Sequence, residues 1–149
     1  MLNNRKYKSG SRWALWRWTE TPSGYITRLH IFMCPWFAIV VHWLHKPDAE
    51  PHRHDHPVSF LSLILRGGYT EFRKRGLSSS LHYENHYWYN WIRASTWDNH
   101  RIDYVEPNTV TLCFMGPKRR DWGFHTPDGW VCWKNYNAEK YGSNNEKSE

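Results

Sequence analysis

A chain of 149 residues with a formal net charge of +6 can fill one domain with a core of its own and needs no second. Apolar residues make up 40% and aromatic rings 17%, with eleven Trp and nine Tyr, so wide rings supply much of the area the chain can bury. Cys34, Cys113 and Cys132 form no CxxC pair, which excludes a disulfide framework, and the absence of an early apolar run argues against a signal peptide or membrane helix, so the expected location is the cytoplasm.

Residues 1 to 11 are polar and basic and read as a flexible arm. Imperfect alternation around Trp13, Trp16 and Trp18 predicts an edge strand from Arg12 to Thr19, and Thr21-Pro22-Ser23-Gly24 turns it. Tyr25 to Phe32 is a strand by its β-branched and aromatic content. After Cys34-Pro35, the segment Trp36 to His45 is apolar on both faces and predicts a central strand. Pro47, Pro51 and Pro57 then frame a loop holding Asp48, Glu50, His52 and Asp55, a gathering of possible metal ligands and hydrogen-bond acceptors.

Next come His52-Arg53-His54-Asp55-His56-Pro57 and the apolar run Val58 to Leu65, closed by Gly67-Gly68. This pattern predicts a buried strand with histidines at its mouth and a tight turn at its end, after which Tyr69 to Arg73 runs back with Tyr69, Glu71 and Arg73 on one face. Residues 74 to 80 make a basic, Ser-rich turn. Strands are expected over Leu81 to Arg93, His100 to Val105, Thr109 to Met115, Lys118 to Phe124 and Trp130 to Trp133, each bounded by turn residues. The polar tail from 137 is expected to be disordered, leaving 12 to 136 as the domain. Short strands at regular spacing without a sustained helical period mean an all-β barrel or sandwich, with a jelly roll preferred.

On one strand, His54 and His56 point to the same face about 7 Å apart. Such a pair can share a metal ion with a third ligand from elsewhere, or lie on a solvated edge; spacing alone permits both. Further on, Lys118, Arg120, Trp122 and Phe124 would share a strand face, with Arg119 beside them. Cations meeting flat rings suit a phosphate and a stacked base, and a solvated basic edge over core aromatics has the same pattern. The basic balance of the chain favours anionic partners in the same way, nucleic acid included, although a small concave barrel suits a small ligand better. Arg66 and Tyr69, flanking the glycine pair, join the candidate ligand contacts. Glu71 is a candidate base, ligand or partner of Arg73, and His125 a candidate general acid.

With the strands placed, His54-x-His56-xxx-Phe60-xxxxxx-Gly67 resembles the first motif of the cupin superfamily, which normally carries a glutamate ligand where Phe60 stands. His100 occupies the place of the histidine in the second cupin motif. The resemblance implies a cupin-like double-stranded β-helix barrel in which His54, His56 and His100 hold a divalent Fe, Mn, Co, Ni or Zn ion, with Glu71 or Asp55 as a fourth ligand. Asp55 and Asp103 are candidates to orient the ligating rings. More narrowly, His54-Asp55-His56-Pro57 and Trp122-Gly123-Phe124 with Gly129-Trp130 look like a group of small cupins from phage and bacterial genomes. Three functions fit: a metal-dependent enzyme acting on a small anionic, nucleotide-like substrate by activated water, which in a phage could destroy a cyclic-nucleotide immune signal; a non-haem iron dioxygenase; and a binding protein that sequesters a nucleotide. The resemblance also implies a homodimer paired through strand edges.

Overall fold

The computed structural model describes residues 13–21, 24–78 and 80–136; the expected flexible arm and the tail from 137 lie outside them. Twelve strands follow one another in the chain: β1 Ala14–Glu20, β2 Ile26–Met33, β3 Ala38–Leu44, β4 Arg53–Asp55, β5 Phe60–Arg66, β6 Gly68–Lys74, β7 Leu81–Tyr87, β8 Trp91–Ala94, β9 Asn99–Val105, β10 Thr109–Met115, β11 Gly123–Thr126 and β12 Gly129–Cys132. They form two six-stranded sheets, β1-β2-β3-β10-β5-β8 and β12-β11-β4-β9-β6-β7, with antiparallel pairing throughout. The all-β jelly roll expected from the turn spacing is the observed architecture. Among the described residues, no helix is long and apolar enough to cross a membrane.

The core lies between the sheets. Ile26, Leu44, Ile64 and Ile92 of the first sheet meet Tyr69 and Ile102 of the second, and Ile64 is completely buried. Burying a side chain of this size contributes roughly 1.5–3 kcal/mol, so this cluster is what clamps the two layers. A second cluster of Ala38, Val40 and Cys113, with Phe60 and Met115 against it, lines the inner face of the first sheet.

Four expectations need correction. The histidine segment and the apolar run are not one strand: β4 ends at Asp55, the chain bends through His56-Pro57, and β5 begins at Phe60 in the opposite sheet. Gly67 does not close a hairpin either, because β5 and β6 belong to different sheets. It sits at the corner with φ +69°, and a Cβ there would lie 2.4 Å from Thr109 Oγ1 and 2.9 Å from Thr109 Cα. The fully buried Thr109 hydroxyl holds that corner, accepting from Gly68 N–H at 3.1 Å and donating to the Glu106 carbonyl at 2.7 Å. The region from Leu81 to Arg93 is two strands, since Asn90 Oδ1 accepts from Tyr87 N–H at 2.6 Å and Tyr89 takes φ +65° to turn the chain. Finally, the strand expected over Lys118 to Phe124 begins only at Gly123.

Candidate metal centre

Three adjacent strands of the second sheet set the site. In the register of β11, β4 and β9, Phe124 stands opposite His54 and His54 opposite His100, so these side chains share the inner face. His56 follows β4 at the bend and turns its ring back toward them. The ring centroids of His54 and His56 are 5.2 Å apart, those of His54 and His100 4.8 Å, and those of His56 and His100 4.9 Å. One nitrogen from each ring lies within 4.8 Å of the others, and His56 Nε2 faces His100 Nε2 at 2.8 Å.

This arrangement fits a divalent ion. Two imidazole nitrogens about 2.0–2.1 Å from one ion and at right angles around it are separated by about 3 Å, close to what the His56–His100 pair shows. His54 and His56 are also in the right protonation state. Burial, helped by the neighbouring His100, pushes His54 down to about 4 against the opposing pull of Asp48, Asp55 and Glu71. Burial and the adjacent His100 and His54 hold His56 well below its ordinary value. Neutral imidazoles present lone pairs at pH 7, as metal binding requires.

Glu71 lies behind this triad, not in it. One carboxylate oxygen, Oε2, accepts from His100 Nδ1; the other, Oε1, accepts from Arg73 Nη1 and from His86 Nε2, each at 2.6 Å. With both oxygens engaged, Glu71 does not occupy the position of a fourth ligand or a free base, the two roles that remained open beside pairing with Arg73. Its position instead fixes a tautomer: with the Nδ1 proton donated to Glu71, His100 turns a bare Nε2 to the centre. Burial acts to raise the Glu71 pKa, but the hydrogen bonds from His100 and His86 and the charge of Arg73 outweigh it and keep the carboxylate ionised. Glu71, Glu84 and His86 are themselves close enough to hold a metal, yet Arg73 already supplies positive charge there, 3.7 Å from Glu84 and 3.5 Å from Asp98.

Asp55 and Asp103 do not orient the ligating rings. Asp55 follows His54 on a strand and therefore points to the opposite face, where it accepts from Gly123 N–H at 2.8 Å and Trp130 Nε1 at 2.9 Å. Arg120 Nη2 and His125 Nε2 complete its shell at 3.1 and 3.2 Å. Asp103 pairs with Arg101. Beside Glu71 at His100, the carboxylate nearest His54 is Asp48, 3.7 Å from His54 Nδ1 and held by Ile102 N–H at 2.8 Å. The proline-framed loop had pointed to Asp48 only as one acceptor among several; its neighbour across the sheet was not readable from spacing. Arg73 and His86 were missed as site residues, although their place on inward-facing positions of β6 and β7 would have been the signal.

No protein-family model matches this sequence, and no curated protein matches it. Solved structures do. The DMSP lyase DddQ from Ruegeria pomeroyi superposes with a TM-score of 0.56 at 12% identity, over 76% of this chain and 62% of that one. A cupin-2 domain from Rhodospirillum rubrum gives 0.54 at 14% identity over 83% and 82%. The chain has the cupin fold. A third likeness, to Streptomyces PAC13 solved with uridine, reaches 0.52 at 8% identity over 78% of this chain and 91% of that one.

In this cupin barrel, Phe60 packs edge-on against His56 with ring centroids 5.0 Å apart, so a phenyl ring fills the place where the motif usually carries its glutamate. Trp122 and Phe124 flank His54 at 6.1 and 6.2 Å; Trp122 stacks on Trp133 and Phe124 on Tyr136. The cations expected beside these rings go elsewhere. Lys118 is exposed and paired with Asp121 at 2.7 Å, and the exposed Arg119 is tied by its backbone N–H to the Pro57 carbonyl. Arg120 lies with Asp55, on the far side of the sheet. His125 is on that side too, because it alternates with Phe124 along β11, and so does not reach the triad as a general acid. Tyr69 is buried in the core against His86, and Arg66 lines a separate cavity with Trp43, His45 and Asn108.

Proposed function

We propose that this protein is a metal-dependent cupin enzyme acting on a small anionic, nucleotide-like substrate through metal-activated water. The observation that carries this reading is the convergence of three imidazoles, from β4, the bend after it and β9, with a buried carboxylate accepting from Nδ1 of the third. His54, His56 and His100 would hold the ion, and three ligands leave coordination positions open for water and substrate. Bound there, a divalent ion supplies Lewis acidity and lowers the pKa of a bound water.

The chain's own groups do the rest. Glu71 orients His100 by accepting from its Nδ1, and Asp48 places negative charge 3.7 Å from His54. Trp122, half-buried beside His54, offers a flat ring on which a base can stack, backed by the buried Phe124. The uridine in PAC13 is consistent with a nucleoside-sized ligand in a barrel of this shape. A homodimer belongs to the same reading: β1 is an outer strand, and Leu15, Trp16 and Trp18 on it are exposed.

The test is metal analysis of the purified protein followed by turnover assays on nucleoside phosphates, cyclic nucleotides included. His54→Ala and His100→Ala are expected to abolish both metal retention and turnover. Folded, metal-loaded protein that leaves the whole panel unchanged would overturn the hydrolytic reading. Oxygen consumption with ferrous iron would indicate the dioxygenase instead, and recovery of intact nucleotide from the heat-denatured complex would indicate sequestration.

A further inference from the structure

The outer face of the second sheet carries a cavity of about 360 Å³ that the triad does not use. Alternation along β4 sends Arg53 and Asp55 outward on either side of the inward His54, and neighbouring strands add Lys74, Asn99 and His125 to the lining. Trp97, Arg120 and Trp130 form its rim.

The charges in this cavity do not balance. Asp55 is the one carboxylate among the lining residues, and it is already saturated by Gly123, Trp130, Arg120 and His125. Arg53 and Lys74 make no ion pair among the described residues. Arg53 Nη1 and Asn99 Oδ1 are buried without a hydrogen-bond partner, and Asn99 is only 4% exposed. Native structures rarely leave a buried cationic donor unpaired, because its lost hydration is not repaid. An oxyanion between Arg53 and Lys74 would repay it. At the rim, the Arg120 guanidinium lies 5.2 Å from the Trp97 ring and 5.4 Å from that of Trp130, while Trp97 remains 65% and Trp130 43% exposed. Flat rings at the mouth of a cationic pocket are a means by which proteins hold a phosphate and an aromatic base together.

We infer that this cavity is a second ligand site, separated from the metal centre by the thickness of the sheet, for an anion of the nucleoside monophosphate class. Arg53 and Lys74 take the phosphate, the rim of Trp97 and Trp130 takes the base, and Asn99 contributes its amide. The site stands on its own residues and does not depend on the metal centre being catalytic.

Calorimetric titration of the full chain with AMP and with inorganic phosphate, at low ionic strength and with chelator present, tests it. AMP is expected to bind one to one and more tightly than phosphate. Arg53→Gln with Lys74→Gln should weaken AMP at least tenfold. Trp97→Ala, at an exposed position that leaves the fold intact, should weaken AMP but not phosphate, and His56→Ala should leave AMP binding unchanged. Absence of AMP binding, undiminished affinity in the Arg53/Lys74 double variant or in Trp97→Ala, phosphate binding as tightly as AMP, or loss of binding in His56→Ala would each overturn the assignment. The last result would place the nucleotide at the metal centre.

Discussion

Replacing Glu71 by Gln tests whether the buried network behind His100 supports both the fold and the metal centre. The substitution keeps the shape of the side chain and removes its charge. Glu71 is 1% exposed and Arg73 2%, so the guanidinium cannot recover the lost partner from water. Removing one member of a buried pair typically costs about 3–5 kcal/mol. Glu84 and Asp98 still face Arg73 at 3.7 and 3.5 Å, which argues for the lower end, about 3 kcal/mol. For a chain of this size each kcal/mol moves the melting temperature by about 2–4 °C, so Tm should fall by roughly 6–12 °C. His100 also loses the acceptor that fixes its tautomer, and metal affinity should drop about 10–100-fold. Urea unfolding of the chelated protein measures the first effect, and competitive titration with Zn²⁺ the second. A stability loss below about 1 kcal/mol together with unchanged Zn²⁺ affinity would show that Glu71 neither anchors Arg73 nor orients His100.

Gly67→Ala should destabilise by about 2 kcal/mol or more in the same unfolding assay, because the new methyl meets Thr109 backbone at a positive φ; a cost of only a few tenths would mean that the corner relaxes freely. Burial pushes the Cys113 thiol up to about 11, so at pH 8 it stays protonated and enclosed. Maleimide labelling of the native protein followed by mass spectrometry should therefore modify Cys34 and Cys132 well before Cys113. If two copies pair through the outer edge of β1, Trp18→Lys should convert the dimer to a monomer in light scattering, and an unaltered mass would exclude that edge.

Much of the fold was legible in local chemistry. β10 alternates Thr109, Thr111 and Cys113 with Val110, Leu112 and Phe114 between the turn residues Asn108 and Gly116, and it is the strand that joins β3 to β5 in the first sheet. Tyr69, Glu71 and Arg73 share the buried face that alternation predicted, whereas His56 meets His54 from the bend after β4 and not by strand parity. Alternation, however, says which residues lie on the same side of a strand and not which side faces inward. For β4 and β11 that choice put His54 and Phe124 in the barrel and sent Asp55 and His125 out, which separated groups that proximity in sequence had grouped together.

Only the tertiary structure decided the partners. Residues as distant as His56 and His100, or Glu71 and His86, meet because of the order β4-β9-β6-β7 in the second sheet, and that order is set by long-range packing between layers. From residue types and their spacing the sequence determined an all-β chain of short strands with a pair of histidines close together in it. Which acid stands behind which imidazole, and which arginine is left without one, depended on strand register across the sheet, because a side chain's charge is compensated by its neighbours in space.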